Sequence, residues 1–247
     1  MKAFRTMFKT ELKLSLRGMD MLIFAICMPI IMVVILGIIY GSKPAFEGAD
    51  YTFLEQSFGA ISTIAICAGG VMGLPLVISD YRNKKILKRF KVTPSSPALI
   101  LAVQIAIYTL YSIVSLILVY ITAKVIFKCN IEGSFFTFIG SYLLVMISMF
   151  SIGMMVGGIA SDMKIASIIA SILYFPMLIF SGATLPYEVM PEVLQKAADI
   201  LPLTQGIKLL KAATLGLPID NTLFPIVEMV VIAIVCSVIS IKFFKWE

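Results

Sequence analysis

Six long apolar runs limit what this chain can fold into. Most of them are about 20 residues or longer, enough for an α-helix to cross the roughly 30 Å hydrocarbon core of a bilayer. Of the 247 residues, 60% are hydrophobic and only 14% are charged, a balance typical of polytopic membrane proteins. The sequence therefore predicts an all-α polytopic membrane protein with a single transmembrane domain over residues 1–247. The expected transmembrane helices cover residues 21–40, 57–78, 98–127, 135–160, 165–180 and 223–243.

Residues 79–97, here called the basic segment, separate the second apolar run from the third. A segment with so many lysines and arginines cannot lie in hydrocarbon, and such loops stay on the cytoplasmic side. Ile86, Leu87 and Phe90 share one face of a short amphipathic helix, which Pro94 then stops. We expect a small cytoplasmic helix that a soluble partner contacts. Its candidate contact residues are Arg82, Lys85, Ile86, Leu87, Arg89, Phe90 and Lys91.

The distribution of charge predicts the orientation of the six helices. With both termini in the cytoplasm, the inner segments carry 14 Lys and Arg residues and 5 acidic residues. The other 6 basic and 9 acidic residues then lie outside or near the outer face. This asymmetry follows the positive-inside rule, so we expect both termini to be cytoplasmic.

Residues 1–20 are expected to form an amphipathic helix in the headgroup layer. Basic and apolar residues each recur every four positions, which gives two adjacent stripes on one helix. A simple topogenic charge cluster is the alternative interpretation. The two stripes are Arg5, Lys9, Lys13 and Arg17, and Phe4, Phe8, Leu12 and Leu16.

Residues 183–222 are too polar and too rich in proline to cross the membrane. Two pieces, 188–200 and 204–215, have helical periodicity but only about 12 residues each, which suits an outer re-entrant or interfacial pair. Thr204 is expected to cap the second piece and Gly216 to end it. The pair is either a gate over a pathway or a structural lid. The candidate gate residues are Pro186, Pro191, Pro202, Thr204 and Gly216.

Small and polar residues inside the apolar runs are further candidates. The pairs Gly69/Gly73 and Gly153/Gly157 have the spacing that lets helices pack closely, within the chain or in a dimer.

Gln104 and Glu228 are the candidate pathway residues. A carboxylate in a transmembrane helix usually faces a cavity or a partner, or lies near the headgroups. The sequence leaves both interpretations of Glu228 open.

Catalytic and metal sites are not expected. The chain has no histidine, and its four cysteines form no CxxC pair. It also lacks a GxxxxGK[ST] phosphate loop, so it cannot hold ATP in that way. The net charge of +6 does not indicate nucleic-acid binding, because the basic residues cluster beside apolar runs.

Two stretches resemble the type-2 ATP-binding-cassette (ABC) exporter permeases. NKKILKRFKVTPSSPALILAVQ (83–104) is similar to that family's basic helix, Thr-Pro and third-span signature. FSGATLPYEVMPEVLQKAADILPLTQGIKLLKAATLG (180–216) is similar to its proline-rich outer segment, which closes on PLT and a glycine. In one departure, Tyr81, Asn83 and Lys85 stand where the family commonly has acidic residues and a glycine.

The resemblance implies a permease subunit in the bacterial cytoplasmic membrane. It would pair with a second copy or a sister permease, and with two separate ABC ATPase subunits that hold ATP and magnesium. The chain itself would hold no cofactor. Its outer segment is most similar to the drug and antibiotic exporters of multidrug resistance, with lipid-linked glycan or sodium export as alternatives. A cation-coupled carrier using Glu228 and an intramembrane enzyme are the competing functions.

The predicted orientation can be tested by cysteine labelling in a background without the four native cysteines. Lys85→Cys should react with a membrane-impermeant maleimide only after the membrane is opened, and Lys43→Cys should react in intact cells. The opposite pattern would refute the predicted topology.

Overall fold

A computed structural model describes residues 2–41, 43–46, 48–87, 97–130, 133–184, 187, 190–217 and 223–244. Within these ranges, six helices are long and apolar enough to cross a membrane, which confirms the predicted number. The described residues contain no β-strand, only an isolated bridge between Pro44 and Thr52. Spans 1 to 6 cover Asp20–Tyr40, Phe53–Asn83, Ala98–Ile126, Phe135–Ile159, Met163–Phe180 and Leu223–Phe243.

Among the residues that the structure describes, three helices of seven or more residues accompany the spans. The N-terminal helix covers Lys2–Gly18 and presents basic and apolar residues as predicted. The first and second short helices, Glu192–Ala198 and Pro202–Leu215, lie between spans 5 and 6. Whether the N-terminal helix lies in the headgroup layer, and whether the short helices dip into the membrane, stay predictions.

Span 2 is longer than predicted at both ends. It begins at Phe53 because Thr52 and Glu55 form a capping box: the Glu55 N–H donates to Thr52 Oγ1 at 3.3 Å, and the Thr52 N–H donates to Glu55 Oε2 at 2.8 Å. It continues to Asn83, and the helix breaks at Lys85, which has a φ of 55°. The first residues of the basic segment are therefore part of span 2.

The first short helix begins at Glu192, later than the predicted start at 188. The second begins at Pro202, earlier than the predicted start at 204. Pro191 is the N-cap of the first, and Pro202 occupies the first turn of the second, where a missing N–H costs nothing. The prediction that Thr204 caps the second helix was wrong, because Leu201 is its N-cap. Gly216, with a φ of 66°, ends it as predicted. Pro186 lies outside the described residues.

Span 2 lies at the centre of the bundle. Its most apolar stretch is 83% buried, compared with 22% for spans 1 and 5. The π-helical turn Ala68–Gly73 places glycines on opposite sides of this helix. The backbone of Gly70 lies directly against Gly153 of span 4, and the Tyr108 ring of span 3 packs on Gly69 and Gly73.

Both predicted glycine pairs thus pack within the chain. Gly157 is in turn held against Pro75 and Ile78 of span 2. Because these faces are occupied by the chain's own helices, a dimer contact has to use other surfaces.

The two ends of the bundle differ in chemistry. The basic end holds the N-terminal helix, the end of span 2 and the end of span 6. There Asp162 caps span 5 by accepting the Ile165 N–H at 2.9 Å, which keeps the pKa of this carboxyl below its usual value. At the opposite end, the Asn130 N–H donates to Glu55 Oε1 at 2.6 Å. Both described chain ends lie at the basic end, as six crossings require.

Close packing at Gly153 should be sensitive to a single methyl group. A Cβ at this position would collide with the Gly70 carbonyl, so Gly153→Ala should destabilise the protein by about 2 kcal/mol or more. Gly140 lies in the same helix with nothing near its Cβ position, so Gly140→Ala should be neutral or slightly stabilising. Thermal unfolding in detergent measures both. Equal melting temperatures for the two variants would contradict this packing.

Candidate functional site

Arg82 joins three spans at the basic end. Its guanidinium is buried and donates to the carbonyls of Gly157 at 2.9 Å, Gly158 at 3.2 Å and Ala160. These carbonyls end span 4, where the helix dipole favours a positive charge. The guanidinium also lies 5.6 Å from the centre of the Phe244 ring, just after span 6. Arg82 therefore ties the end of span 2 to spans 4 and 6.

A polar cluster attaches the N-terminal helix to the same end. Glu11 accepts hydrogen bonds from the Tyr81 hydroxyl and from Gln104 Nε2, the latter at 3.0 Å. Gln104 Nε2 also lies 2.8 Å from the Tyr81 oxygen. One turn along, the Ser15 and Tyr111 hydroxyls are 3.0 Å apart. The N-terminal helix is thereby bonded to spans 2 and 3.

This cluster changes the interpretation of Gln104. The sequence made it a candidate pathway residue, but its side chain is buried and bonded to Glu11 and Tyr81. The observed geometry favours a structural role for Gln104 over contact with a transported molecule.

The described part of the basic segment is divided between core and surface. Arg82 and Leu87 were predicted to contact a partner, but both are buried and face the protein. Lys85 is exposed and Ile86 is half-buried, so these two remain available for a partner. The remaining predicted contact residues, Arg89, Phe90 and Lys91, lie outside the described residues.

At the opposite end, Asp199 holds the two short helices together. Its Oδ1 accepts the Tyr187 hydroxyl at 2.8 Å and Lys208 Nζ at 2.6 Å. Its backbone carbonyl accepts Gln205 Nε2 at 2.7 Å, and Lys208 lies 5.0 Å from the Tyr187 ring centre. These bonds hold the two short helices to each other. A gating role for Pro191, Pro202, Thr204 and Gly216 stays a prediction.

Glu228 lies near the start of span 6 and is half-buried. Lys208 of the second short helix is close enough to interact with it electrostatically. The ion pair that Lys208 makes is with Asp199 and not with Glu228, so both interpretations of Glu228 stay open.

An apolar cavity of about 530 Å³ lies between spans 3 and 4 towards the end opposite the basic segment. Its walls include the rings of Phe58, Tyr120, Phe138 and Tyr142. Ile117 and other exposed apolar residues open it to the surroundings of the bundle. Neither Gln104 nor Glu228 lines this cavity. Its size and lining suit the apolar part of an amphiphile.

Sequence reasoning missed several of these residues. Glu11 carried one usable signal, as it is the single acid in the strongly basic N-terminal helix. The sequence gives no comparable signal for Phe244 or Asp199. Each has its structural role only through contacts with residues distant in the sequence or in another helix.

Comparison with known protein families matches residues 2–215 to the family described as ABC-2 type transporter. Among curated proteins, the chain is similar to nodulation protein J of Rhizobium leguminosarum bv. viciae, with 31% identity over 90 residues. It is also similar to nodulation protein J of Neorhizobium galegae, with 32% identity over 71 residues. These alignments cover 36% and 29% of this chain, and 35% and 27% of the relatives. No solved structure matches this chain.

Loss of the Arg82 guanidinium should destabilise the basic end. Arg82→Met removes three hydrogen bonds to buried carbonyls, and we expect a loss of about 2–4 kcal/mol. Arg82→Lys, which keeps the charge but not the planar fork, should lose less. Lys84→Gln is the control, because Lys84 makes only an exposed ion pair with Asp80. Unfolding in mixtures of detergent and SDS measures the free energy of unfolding of each variant. Equal stability of Arg82→Met and Lys84→Gln would contradict the proposed role of the guanidinium.

Proposed function

Because this chain belongs to the ABC-2 type transporter family, we propose that it is the permease subunit of an ATP-driven exporter in the bacterial cytoplasmic membrane. Permeases of this family generally work with an ATPase subunit. In the proposed complex, two ABC ATPase subunits hold ATP and magnesium, and two permease subunits, identical or sister chains, form the path through the lipid bilayer.

The main support for this proposal comes from the contacts that Arg82 makes with spans 4 and 6. In the complex, the ATPase contacts the basic segment through Lys85, Ile86 and the residues that follow. Since the segment continues directly from span 2, a displacement of it moves the end of that span. Arg82 passes this movement to spans 4 and 6 through its bonds to the span 4 carbonyls and its contact with Phe244.

The N-terminal helix adds a second connection. Glu11 bonds both to Tyr81 beside Arg82 and to Gln104 at the start of span 3. An ATPase that presses on this helix and on the basic segment acts on spans 2 and 3 together. Closure of the two ATPase subunits on ATP would then rock the bundle and open the path outward.

The proposed cargo is a hydrophobic or amphiphilic molecule such as a drug, antibiotic or peptide. The apolar cavity between spans 3 and 4 supports an amphiphile. The similar proteins are named for nodulation, and that name specifies no drug or antibiotic. Drug export therefore rests on the similarity of the outer segment, and export of a lipid-linked glycan or of sodium by the same kind of complex is the alternative.

A cation-coupled carrier that works without ATP would need Glu228 to bind its cation. Lys208 is near enough to act on this carboxylate electrostatically, and its positive charge would oppose a bound cation. We therefore propose the ATP-driven complex rather than the carrier.

Coupling is tested in proteoliposomes that contain the permease and its ATPase. The double variant Ile86→Asp with Phe90→Asp places two charges on the apolar face of the basic segment. We expect it to abolish substrate transport and to reduce substrate-stimulated ATP hydrolysis about tenfold or more, since charges in a desolvated contact are costly.

Leu217→Asp is the control for that experiment. Leu217 is an exposed apolar residue at the opposite end, so its replacement should leave transport within about twofold of the wild type. Full transport by the Ile86/Phe90 double variant would refute the proposed contact, and uphill transport by the isolated chain would refute the ATP-driven function.

A further inference from the structure

The apolar cavity between spans 3 and 4 has a buried wall and an open side. The buried wall consists of the rings of Phe58, Phe138 and Tyr142, each at most 7% exposed. The open side includes Ile117, which is 50% exposed. The Tyr142 hydroxyl already donates to the Ser112 carbonyl at 2.8 Å, so this polar group needs no partner from a ligand. The interior of the cavity therefore fits a hydrocarbon chain.

The cavity runs lengthwise along the two helices. On span 3 its wall extends from Tyr120 back to Ile113, which is about 10 Å along the helix axis. On span 4 it extends from Phe135, the first helical residue, to Leu143. Phe135 and Phe136 are 70% and 87% exposed, and exposed aromatic rings at the end of a span are typical of the headgroup level. The cavity therefore lies in about the outer third of a 30 Å hydrocarbon core and begins at the headgroups.

A cation lies at the mouth of this cavity. Lys124 is one turn beyond Tyr120 on span 3, and its Nζ donates to the Tyr120 hydroxyl at 3.0 Å. The same ammonium lies 5.4 Å from the centre of the Tyr120 ring, which lines the cavity. Lys124 is exposed, and within the described residues no carboxylate forms an ion pair with it. An ammonium has three N–H donors, so two remain for a ligand after the bond to Tyr120.

The described residues around the mouth add no opposing charge. Among the described acids, Glu55 is the nearest in sequence to the cavity wall, and it is buried with its two oxygens accepting the N–H groups of Thr52 and Asn130. Span 4 begins at the mouth with Ser134 as its N-cap, and its first turn contains no acidic residue. The positive end of this helix dipole adds to the charge of Lys124.

We propose that the apolar cavity binds an anionic phospholipid from the leaflet at this end of the bundle. Its phosphate accepts from Lys124, and one acyl chain lies between spans 3 and 4. A soluble anion would leave the apolar wall uncovered, and a lipid without net charge would leave the ammonium without a counter-ion. The open side lets the chain enter directly from the bilayer. Binding requires the membrane-spanning fold but no transport, so the proposal does not depend on the exporter function.

The test uses the purified full chain in nanodiscs with equal amounts of phosphatidylglycerol and phosphatidylcholine that carry the same acyl chains. Both lipids contain a phosphate, but only phosphatidylglycerol has a net negative charge. In each measurement one of the two lipids carries a photoreactive diazirine in its acyl chain, and peptide mass spectrometry locates the cross-links. No ATPase or nucleotide is present, so a failure here leaves the exporter proposal untouched.

We expect phosphatidylglycerol to cross-link mainly to residues 113–120 and 135–143, about fivefold or more above phosphatidylcholine, as one lysine near an anionic headgroup allows. Lys124→Gln should remove this preference, and Lys124→Arg should keep it. Lys43→Gln is the matched control, because it removes the same charge from an exposed lysine at the same end outside the cavity. It should behave as the wild type.

A second pair of variants tests the apolar wall. Ile117→Trp places a larger side chain at the open side and should lower cross-linking of phosphatidylglycerol to the wall about fivefold or more. Ile234→Trp makes the same change at an exposed position of span 6 outside the cavity, and should leave the wild-type pattern. Thermal unfolding checks that each variant is folded. If Ile117→Trp does not fold, the change of the exposed Lys124 still decides the result.

Three results would overturn the proposal. Cross-links spread evenly over the apolar surface would show that the protein makes only unspecific contacts with surrounding lipid. Equal cross-linking of the two lipids would show that the groove does not select a charge. Identical lipid preference in Lys124→Gln and Lys43→Gln would show that Lys124 does not hold the headgroup.

Discussion

The basic end of this protein depends on the hydrogen bonds that the buried Arg82 guanidinium donates. A positive charge removed from water is stable only when its donors are satisfied. Here the carbonyls that end span 4 supply the acceptors, and that helix terminus has no further turn of its own to bond. The guanidinium therefore supplies donors to carbonyls that lack a partner in their own helix, and these carbonyls supply acceptors to the buried charge. The contact with Phe244 adds the end of span 6 to the same point.

Close packing around span 2 joins the helices along more of their length. With Gly70 against Gly153, and Tyr108 over Gly69 and Gly73, spans 2, 3 and 4 approach closely along part of their length. Backbones in such contact cannot slide past each other without a cost in van der Waals energy. Spans 2, 3 and 4 are therefore held together as one tightly packed unit. In spans 1 and 5 only 22% of the most apolar stretch is buried, so most of their surface can contact lipid or another subunit.

Two chemically different regions are separated along the bundle. The basic end gathers cationic side chains and hydrogen bonds between helices. At the opposite end, Asp199 bonds to Lys208 and thereby joins the two short helices. The apolar cavity of spans 3 and 4 also lies towards this end. This arrangement suits a protein that receives work at one face and handles an amphiphile near the other.

The sequence alone determined the six spans, the basic segment, the two short helices and the glycine at position 216. These follow from local rules: hydrocarbon excludes charge over a window of about 20 residues, and proline and glycine act on their immediate neighbours. It also indicated the family, through stretches of continuous sequence.

Only the tertiary structure decided which way the side chains of these elements face. Arg82 and Leu87 looked like surface residues of an amphipathic helix, yet both are buried. Gln104 looked like a pathway residue, yet it bonds to Glu11, 93 positions earlier. The reason is physical: a polar group in a membrane helix is stabilised by whichever partner the neighbouring helices bring within about 3 Å, and the order of helices around the bundle is not encoded in any single segment.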